Sequence, residues 1–195
     1  MRIRSDFALP LVLALIVLAA VARLVPHPPN FVPTGAMALF GAALLPKRWL
    51  AVLVPVVAYY LSDLFLNNVV YAQYFEGFYW GVDPFVYGGL ALIILLGLGV
   101  LRGRAFSWWR IGGAAAGASL GFYLVTNFGV WAGGTMYPKT AGGLGMAYVA
   151  GLPFLASSLA ANLLFSGALF GVARWAFRAG ADGAGFSAVV DRFEG

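Results

Sequence analysis

The sequence contains no cysteine and only one histidine, His27, among its 195 residues. Disulfides, iron–sulfur clusters and thiolate metal sites are therefore excluded. A metal site needs several donors, so a single histidine between prolines in a loop is better explained as a surface residue. We accordingly expect no metal and no cofactor. A glycine loop of the Walker type is also missing, so this chain cannot itself hydrolyse ATP.

Charged residues are scarce, at 10%, whereas 62% of residues are hydrophobic. The mean hydropathy is +0.88, and several apolar runs approach the roughly 20 residues that a membrane-spanning helix needs. The net charge of +5 does not indicate a nucleic-acid partner, because the basic residues fall in short loops between apolar runs. We therefore predict an all-α, polytopic membrane protein of one domain, with the lipid bilayer as its surroundings.

Six spans can be drawn, and the basic N-terminal flank followed by an apolar core is interpreted as a retained first helix. Arg23 and the residues after it make a poor signal-peptide cleavage site, and further spans follow. A single transmembrane domain is predicted for residues 1–178, followed by a short cytoplasmic tail, residues 179–195. The predicted spans are residues 7–25, 34–45, 48–66, 84–101, 111–131 and 152–177.

The basic residues predict the orientation. If the N-terminus is cytoplasmic, all twelve lysines and arginines except Arg23 and Lys139 fall on the inner side. Cytoplasmic loops carry such an excess, so both termini are predicted to be cytoplasmic. The outer connections are longer and richer in polar and aromatic groups, and function is therefore expected on the outer face.

The second predicted span is too short to cross a bilayer. Residues 34–45 extend about 18 Å as a helix, whereas the hydrocarbon core is about 30 Å thick. The crossing is therefore expected to continue as non-helical backbone through residues 31–33. Such backbone is tolerated only where protein buries it or where it lines a cavity, so this segment indicates a site.

Of all the charged residues in the sequence, Asp63 is the one most expected to lie within the membrane. It lies near the outer end of the third span, and Tyr59, Asn67 and Tyr71 share its helix face at successive four-residue steps. Ionisable groups in a span are costly and usually face a cavity or a partner. Two interpretations stay open: one wall of a ligand pocket, or an interhelical hydrogen bond that only stabilises the bundle.

Two other spans carry polar groups near their outer ends. The fifth presents Tyr123, Asn127 and Trp131 at four-residue spacing, and the sixth presents Asn162. With residues of the outer loops, these groups could line an outward-facing pocket with aromatic walls, which is the usual composition of a small-molecule site. The predicted ligand-binding residues are Arg23, Asn30, Asp63, Asn67, Tyr123, Asn127, Trp131, Tyr137 and Asn162.

Two of the charged residues have further interpretations. Asp83 precedes Pro84, which is the pattern of a helix N-cap with proline at the first helical position. Arg23 either snorkels to the outer headgroups, pairs with Asp63 or binds an anionic group of a ligand.

Catalytic constellations are missing from the sequence. No second intramembrane aspartate accompanies Asp63 for a paired-carboxylate mechanism, and His27 has no obvious nucleophile beside it. We therefore expect no catalytic residues and no enzymatic activity.

Several segments between Arg23 and about Gly171 resemble an uncharacterised family of small bacterial six-helix integral membrane proteins with no assigned activity. These segments are RLVPHPPNFVPTGAMALFGA, YYLSD, TNFGVW, YPKT and GLPFLASSLAANLLFSGALFG. In size, helix count, orientation and long outer loops, the chain is more distantly similar to the substrate-binding S-components of energy-coupling-factor vitamin transporters.

The second resemblance implies a multi-pass subunit of the bacterial inner (plasma) membrane that captures a small molecule, such as a vitamin, from outside. It also implies two kinds of partner, a transmembrane coupling subunit and ATPases. S-components often dock through small residues of the first helix, but this chain does not contain a clear alanine-xxx-alanine pair of that pattern, so a transporter that acts alone also stays open.

The sequence thus leaves three functions open. The leading one is small-molecule uptake. The alternatives are a non-catalytic membrane scaffold or assembly protein, and an ion or proton pathway through Asp63, which is weakened because no second acid lies deeper along a relay. An enclosed outer cavity roofed by the first outer loop would favour uptake. Polar residues bonded to one another, with no room for a ligand, would favour a scaffold.

Overall fold

The structure is a computed structural model that describes residues 5–179. Within these residues the chain forms six α-helices and no strand, which confirms the predicted all-α class. The predicted tail lies outside the described residues, apart from Ala179. The helices are α1 (Ser5–Ala22), α2 (Thr34–Leu44), α3 (Arg48–Phe65), α4 (Pro84–Val100), α5 (Trp108–Gly133) and α6 (Ala141–Ala179).

Length and mean hydropathy qualify two of the described helical segments as membrane spans: Arg48–Val70 and Ala141–Phe177. Three others are apolar but shorter: Ala8–Ala22, Thr34–Leu44 and Pro84–Val100. Helix α5 is long enough at 26 residues, but it is not among the segments that meet both criteria. These properties indicate association with a membrane, whereas the prediction of six spans is not confirmed by them.

Helix α2 is the centre of the fold. All of its 11 residues are buried, and it packs against each of the other five helices. Its glycines and alanines allow the surrounding helices to come close, and Met37, Leu39 and Phe40 fill the spaces between them. At 1.5 Å per residue α2 extends about 16 Å, compared with about 27 Å for the 18 residues of α3. The bundle is therefore longer than the helix at its centre.

Side chains from other parts of the chain hold both ends of α2. At its start, Asn162 Oδ1 accepts a hydrogen bond from the N–H of Ala36 at 3.1 Å. At its end, Arg102 donates from its guanidinium group to three backbone carbonyls. They are those of Ala42 at 3.2 Å, Leu45 at 2.8 Å and Pro46 at 2.7 Å. These bonds satisfy backbone groups that a helix end leaves unpaired, which matters for a helix whose residues are all buried.

The start of α4 confirms the N-cap prediction for Asp83. Its Oδ1 accepts from the N–H of Phe85 at 2.8 Å and from that of Val86 at 3.1 Å, and Pro84 occupies the first helical position.

Helix α6 begins at Ala141, eleven residues before the predicted span at residue 152. Thr140 caps this start, because its Oγ1 accepts from the N–H of Gly143 at 3.1 Å. The glycines of the sequence AGGLG have low helix propensity, so they obscured the helix in the sequence. Residues 141–151, about half of the outer connection predicted between the fifth and sixth spans, are therefore helical.

Candidate ligand-binding site

A cavity of about 750 Å³ lies beyond the N-terminus of α2. Its walls are formed by residues of α3, α4, α5 and α6, and residues of the α1–α2 and α5–α6 connections also line it. It occupies the part of the bundle that the short central helix does not reach. Its volume falls within the range of roughly 300–1,000 Å³ that is usual for small-molecule sites. We refer to it below as the central cavity.

Seven of the nine predicted ligand-binding residues line the central cavity: Arg23, Asn30, Asp63, Asn67, Asn127, Tyr137 and Asn162. Tyr123 and Trp131 do not. The Tyr123 hydroxyl donates to the carbonyl of Tyr148 at 2.6 Å, and the Trp131 indole N–H donates to the carbonyl of Pro138 at 2.9 Å. A four-residue step advances about 40° beyond a full helical turn. A ladder of three residues therefore spreads round the helix, and only Asn127 reaches the cavity.

Arg23, directly after α1, is tied to α3. The residue is 7% exposed, and its Nη2 lies 3.2 Å from Asp63 Oδ1. Its Nη1 donates to Ser62 Oγ at 2.5 Å and to the carbonyl of Tyr59 at 3.2 Å. The guanidinium carbon also lies 4.2 Å from the centroid of the Tyr59 ring. Of the interpretations considered for Arg23, the structure shows the pair with Asp63.

The second carboxylate oxygen of Asp63 is also engaged, since Oδ2 accepts from Asn67 Nδ2 at 3.1 Å. A π-helical turn, Leu66–Val70, follows α3 directly, and the N–H of Tyr71 bonds to the carbonyl of Leu66 at 2.8 Å. Such turns occur frequently at functional sites. Here the turn brings Leu66, Asn67 and Tyr71 to the wall of the cavity.

Asn162 forms part of the cavity floor and joins three helices. Besides accepting from Ala36 of α2, its Nδ2 donates to Ser119 Oγ of α5 at 2.8 Å. Both ends of this amide are thus occupied, and the residue is only 5% exposed. Of the predicted ligand-binding residues that line the cavity, Asn162 is therefore the one with the clearest structural role.

A family model matches residues 4–182 of the chain, which is most of its length. The chain belongs to DUF6580, a family of unknown function. No curated protein and no solved structure matches it significantly. The prediction of an uncharacterised family is consistent with this result, whereas the similarity to S-components finds no support in these comparisons.

The cavity of this DUF6580 protein also presents amide groups that have no partner within the described residues. Asn127 Nδ2 donates to the carbonyl of Tyr123 at 2.8 Å, but its Oδ1 accepts no hydrogen bond. The same is true of Asn67 Oδ1 and of the whole Asn30 amide. Asn30 adopts a left-handed backbone conformation, with φ of 59°, which asparagine tolerates better than most residues. These groups are available to a ligand.

Sequence reasoning missed several lining residues of the DUF6580 protein. Their polar members are Thr34, Ser119 and Thr126, and their aromatic members include Phe122 and Phe154. Single hydroxyls and phenylalanines are ordinary in apolar helices and carry no signal by themselves. The short second span did indicate the region of Thr34, although not that residue.

The lining of the central cavity contains few ionisable groups. Asp63 is its single carboxylate, His27 its single histidine and Arg23 its single arginine. Within residues 5–179, no group of three or more histidine, aspartate or glutamate side chains could hold a metal ion. Hydrogen bonds from amides and hydroxyls, together with aromatic contacts, are what this DUF6580 cavity offers a ligand.

Proposed function

We propose that the protein is a multi-pass plasma-membrane protein that binds a small molecule from the outer side, as the substrate-capture subunit of an uptake system. The observation that carries this proposal is the central cavity of about 750 Å³ above a shortened central helix. A bundle stabilised only by its own contacts would be expected to fill that volume with side chains. Here the cavity has polar groups on its wall, and most of the predicted site lies there.

The distribution of charge supports six spans and the outward orientation. The end of the bundle opposite the cavity carries the basic residues Lys47, Arg48, Arg102, Arg104, Arg110 and Arg174. It also carries the exposed tryptophans Trp49, Trp108, Trp109 and Trp175. Basic residues face the cytoplasm in membrane proteins, and tryptophans collect at the membrane–water interface. In this orientation the cavity opens on the outer side.

The sequence has no Walker-type nucleotide-binding loop, so ATP-driven uptake would need an energy source outside this chain. In the proposal, a transmembrane coupling subunit and ATPases supply it, as in vitamin transporters that use S-components. A vitamin-like ligand fits the size of the cavity, and the unpartnered amides would provide its hydrogen bonds.

A scaffold or assembly protein is the second candidate. It is favoured by hydrogen bonds that connect helices. Asn162 bonds to α2 and α5, and Arg23 bonds to α3. A scaffold, however, has no need of an unpartnered Asn30 amide and an unpartnered Asn127 Oδ1 on a cavity wall. An ion pathway through Asp63 is less favoured, because both carboxylate oxygens are engaged and the lining offers no second acid.

Mass spectrometry of the compounds that co-purify with the protein tests the proposal. The full-length chain would be purified in mild detergent from its native host, washed and denatured, and the released compounds identified. Ala150→Phe fills the cavity, because Ala150 lines it. The matched control is Val149→Phe in the same helix. Val149 is 67% exposed and does not line the cavity.

We expect the wild type and Val149→Phe to release the same enriched compound and Ala150→Phe to release none. Equal release from all three proteins would show that the compound binds elsewhere. If no protein retains a compound, and a panel of vitamins produces no thermal shift, the capture function is contradicted.

A further inference from the structure

We propose that the cavity holds its ligand by a carboxylate group at the N-terminus of α2, beside Arg23. The substrate class would then be a small monocarboxylic acid with an apolar or aromatic body. This inference rests on the proposed function, because it names the ligand of the same cavity.

The N-terminus of α2 presents hydrogen-bond donors to the cavity floor. In an α-helix the first N–H groups have no acceptor within the helix. Those of Ala36 and Met37 are used, by Asn162 Oδ1 and by the carbonyl of Pro33. The N–H groups of Thr34 and Gly35 have no acceptor in the part of the chain that the structure describes, and both residues line the cavity. The helix dipole adds a partial positive charge at this end.

Two side-chain donors of residues that line the cavity, one of them at this helix end, also lack partners within the described residues. Thr34 is 6% exposed and Arg23 is 7% exposed, yet Thr34 Oγ1 and Arg23 Nε make no hydrogen bond. Leaving a buried polar group unpaired is unfavourable. Both residues contribute to the cavity lining, and both unpaired atoms can donate. An acceptor group of the ligand would therefore satisfy them.

The charge of the site decides between a carboxylate and a more highly charged group. The guanidinium of Arg23 is already paired with Asp63 at 3.2 Å, so this pair adds no net charge. The helix end contributes about half an elementary positive charge. A single negative charge is therefore matched approximately, whereas most of the charge of a phosphate dianion would remain uncompensated.

The remaining lining residues determine which chemical groups the rest of the ligand can carry. Val86, Ile93 and Val130 provide aliphatic wall, and Phe122 and Phe154 provide aromatic wall. The Asn30 amide and the Asn127 Oδ1 can contact neutral polar groups on an otherwise apolar molecule. A fully hydrophilic anion would leave most of this wall without favourable contacts.

Matched pairs of acids and amides test the inference. The probes are nicotinate with nicotinamide, indole-3-acetate with indole-3-acetamide, and biotin with biotinamide. Binding to the purified full-length protein in detergent would be measured by thermal shift and calorimetry. We expect at least one acid to bind and its amide to bind roughly tenfold or more weakly, since hydrogen bonds to charged groups are the stronger ones.

Thr34→Val removes the unpaired hydroxyl without changing the shape of the side chain. Because no hydrogen bond is lost, the melting temperature of the ligand-free protein should be unchanged or higher. The affinity for the acid should fall roughly tenfold. Thr126→Val is the matched control. Thr126 lines the same cavity but bonds to the carbonyl of Phe122, so its loss should preserve the preference for acid over amide.

The outcomes separate this inference from the proposed function. Amides that bind as tightly as their acids would overturn the carboxylate site while leaving a small-molecule cavity. If no probe binds, the inference is tested on the compound that mass spectrometry identifies in the protein purified from its native host. A carboxylate on it supports the inference and its absence overturns it. If no compound is released either, both the inference and the capture function fail.

Discussion

Asn162 of α6 occupies the space that a side chain on Gly35 of α2 would need. A Cβ atom at Gly35 would lie 2.6 Å from both the amide nitrogen and the amide oxygen of Asn162. That amide accepts from the N–H of Ala36 and donates to Ser119 Oγ. The missing side chain at Gly35 thus allows one buried amide to join α2, α5 and α6 beneath the cavity.

Gly35→Ala should therefore destabilise the protein, although alanine is the better helix former. Displacing Asn162 would weaken two buried hydrogen bonds, which costs about 1–3 kcal/mol and exceeds the gain in helix propensity of about 1 kcal/mol at most. Thermal unfolding in detergent measures the change. Gly113→Ala in α5 is the control, because nothing lies within 4 Å of a Cβ atom there, and it should be neutral or stabilising.

A double-mutant cycle identifies the cause. In an Asn162→Ala background the amide is gone, so Gly35→Ala should become neutral or stabilising. An equal loss of stability in both backgrounds would show that Asn162 is not what excludes a side chain at Gly35.

The residues of the site that could be predicted are those that stand out in an apolar sequence. Arg23, Asp63 and Asn67 were found because charges and amides are expensive in apolar helices. The short second span indicated the same end of the bundle from helix length alone. These signals are local, so one sequence is enough to detect them.

The rest of the site depends on contacts between distant parts of the chain. Asn162 holds the start of α2 across 126 positions of sequence, and no local pattern shows that Gly35 must lack a side chain. Trp131 and Tyr123 shared a predicted face with Asn127, but they turn towards other backbone carbonyls. The direction of each side chain is decided by the neighbouring helix and loop.

The pair of Arg23 and Asp63 should show strong coupling. Arg23→Met leaves the Asp63 carboxylate with only Asn67, and Asp63→Leu leaves a buried guanidinium. Each change should cost about 1–3 kcal/mol. This is less than the 3–5 kcal/mol of a fully buried pair, because the Asp63 side chain keeps 23% exposure.

The double variant Arg23→Met/Asp63→Leu should be at least about 1 kcal/mol more stable than the sum of the single changes. Unfolding of the four proteins at low and high salt gives the coupling. It should persist at high salt, since a largely buried pair is weakly screened. Additive effects would show that the pair contributes nothing to stability.

Lys139 should stabilise the end of α5 without affecting the cavity. Its Nζ donates to the carbonyls of Trp131, Ala132 and Gly134, where a cation also complements the helix dipole. Lys139→Met should raise amide exchange in the last turn of α5 about fivefold, which corresponds to about 1 kcal/mol. Hydrogen exchange read by mass spectrometry checks this.

Trp131→Phe belongs to the same test, because it removes the bond to Pro138 but leaves the cavity lining unchanged. Both variants should bind the ligand within about twofold of the wild type, and Lys47→Met at the opposite end should leave exchange in α5 unaltered. A large loss of affinity in Trp131→Phe would restore Trp131 to the binding site.

Arg102 should be essential for the position of α2, because it donates to three carbonyls at the end of that helix. Arg102→Gln removes the charge-assisted hydrogen bonds to these carbonyls. Two of the carbonyls, those of Ala42 and Leu45, belong to buried residues. The expected loss of stability is about 2–4 kcal/mol. Arg104→Gln, two residues further along at an exposed position, should change stability by no more than about 0.5 kcal/mol.

Ligand affinity separates the two ends of α2. Arg102 lies at the end away from the cavity, so Arg102→Gln should lower the melting temperature strongly, while folded protein keeps the affinity of the wild type. Thr34→Val, at the other end of α2, should keep the melting temperature but lower the affinity for the ligand. Unfolding curves and binding isotherms of the same preparations provide both quantities. If Arg102→Gln melts like Arg104→Gln, the carbonyl contacts do not hold α2, and the cavity floor must depend on Asn162 and packing alone.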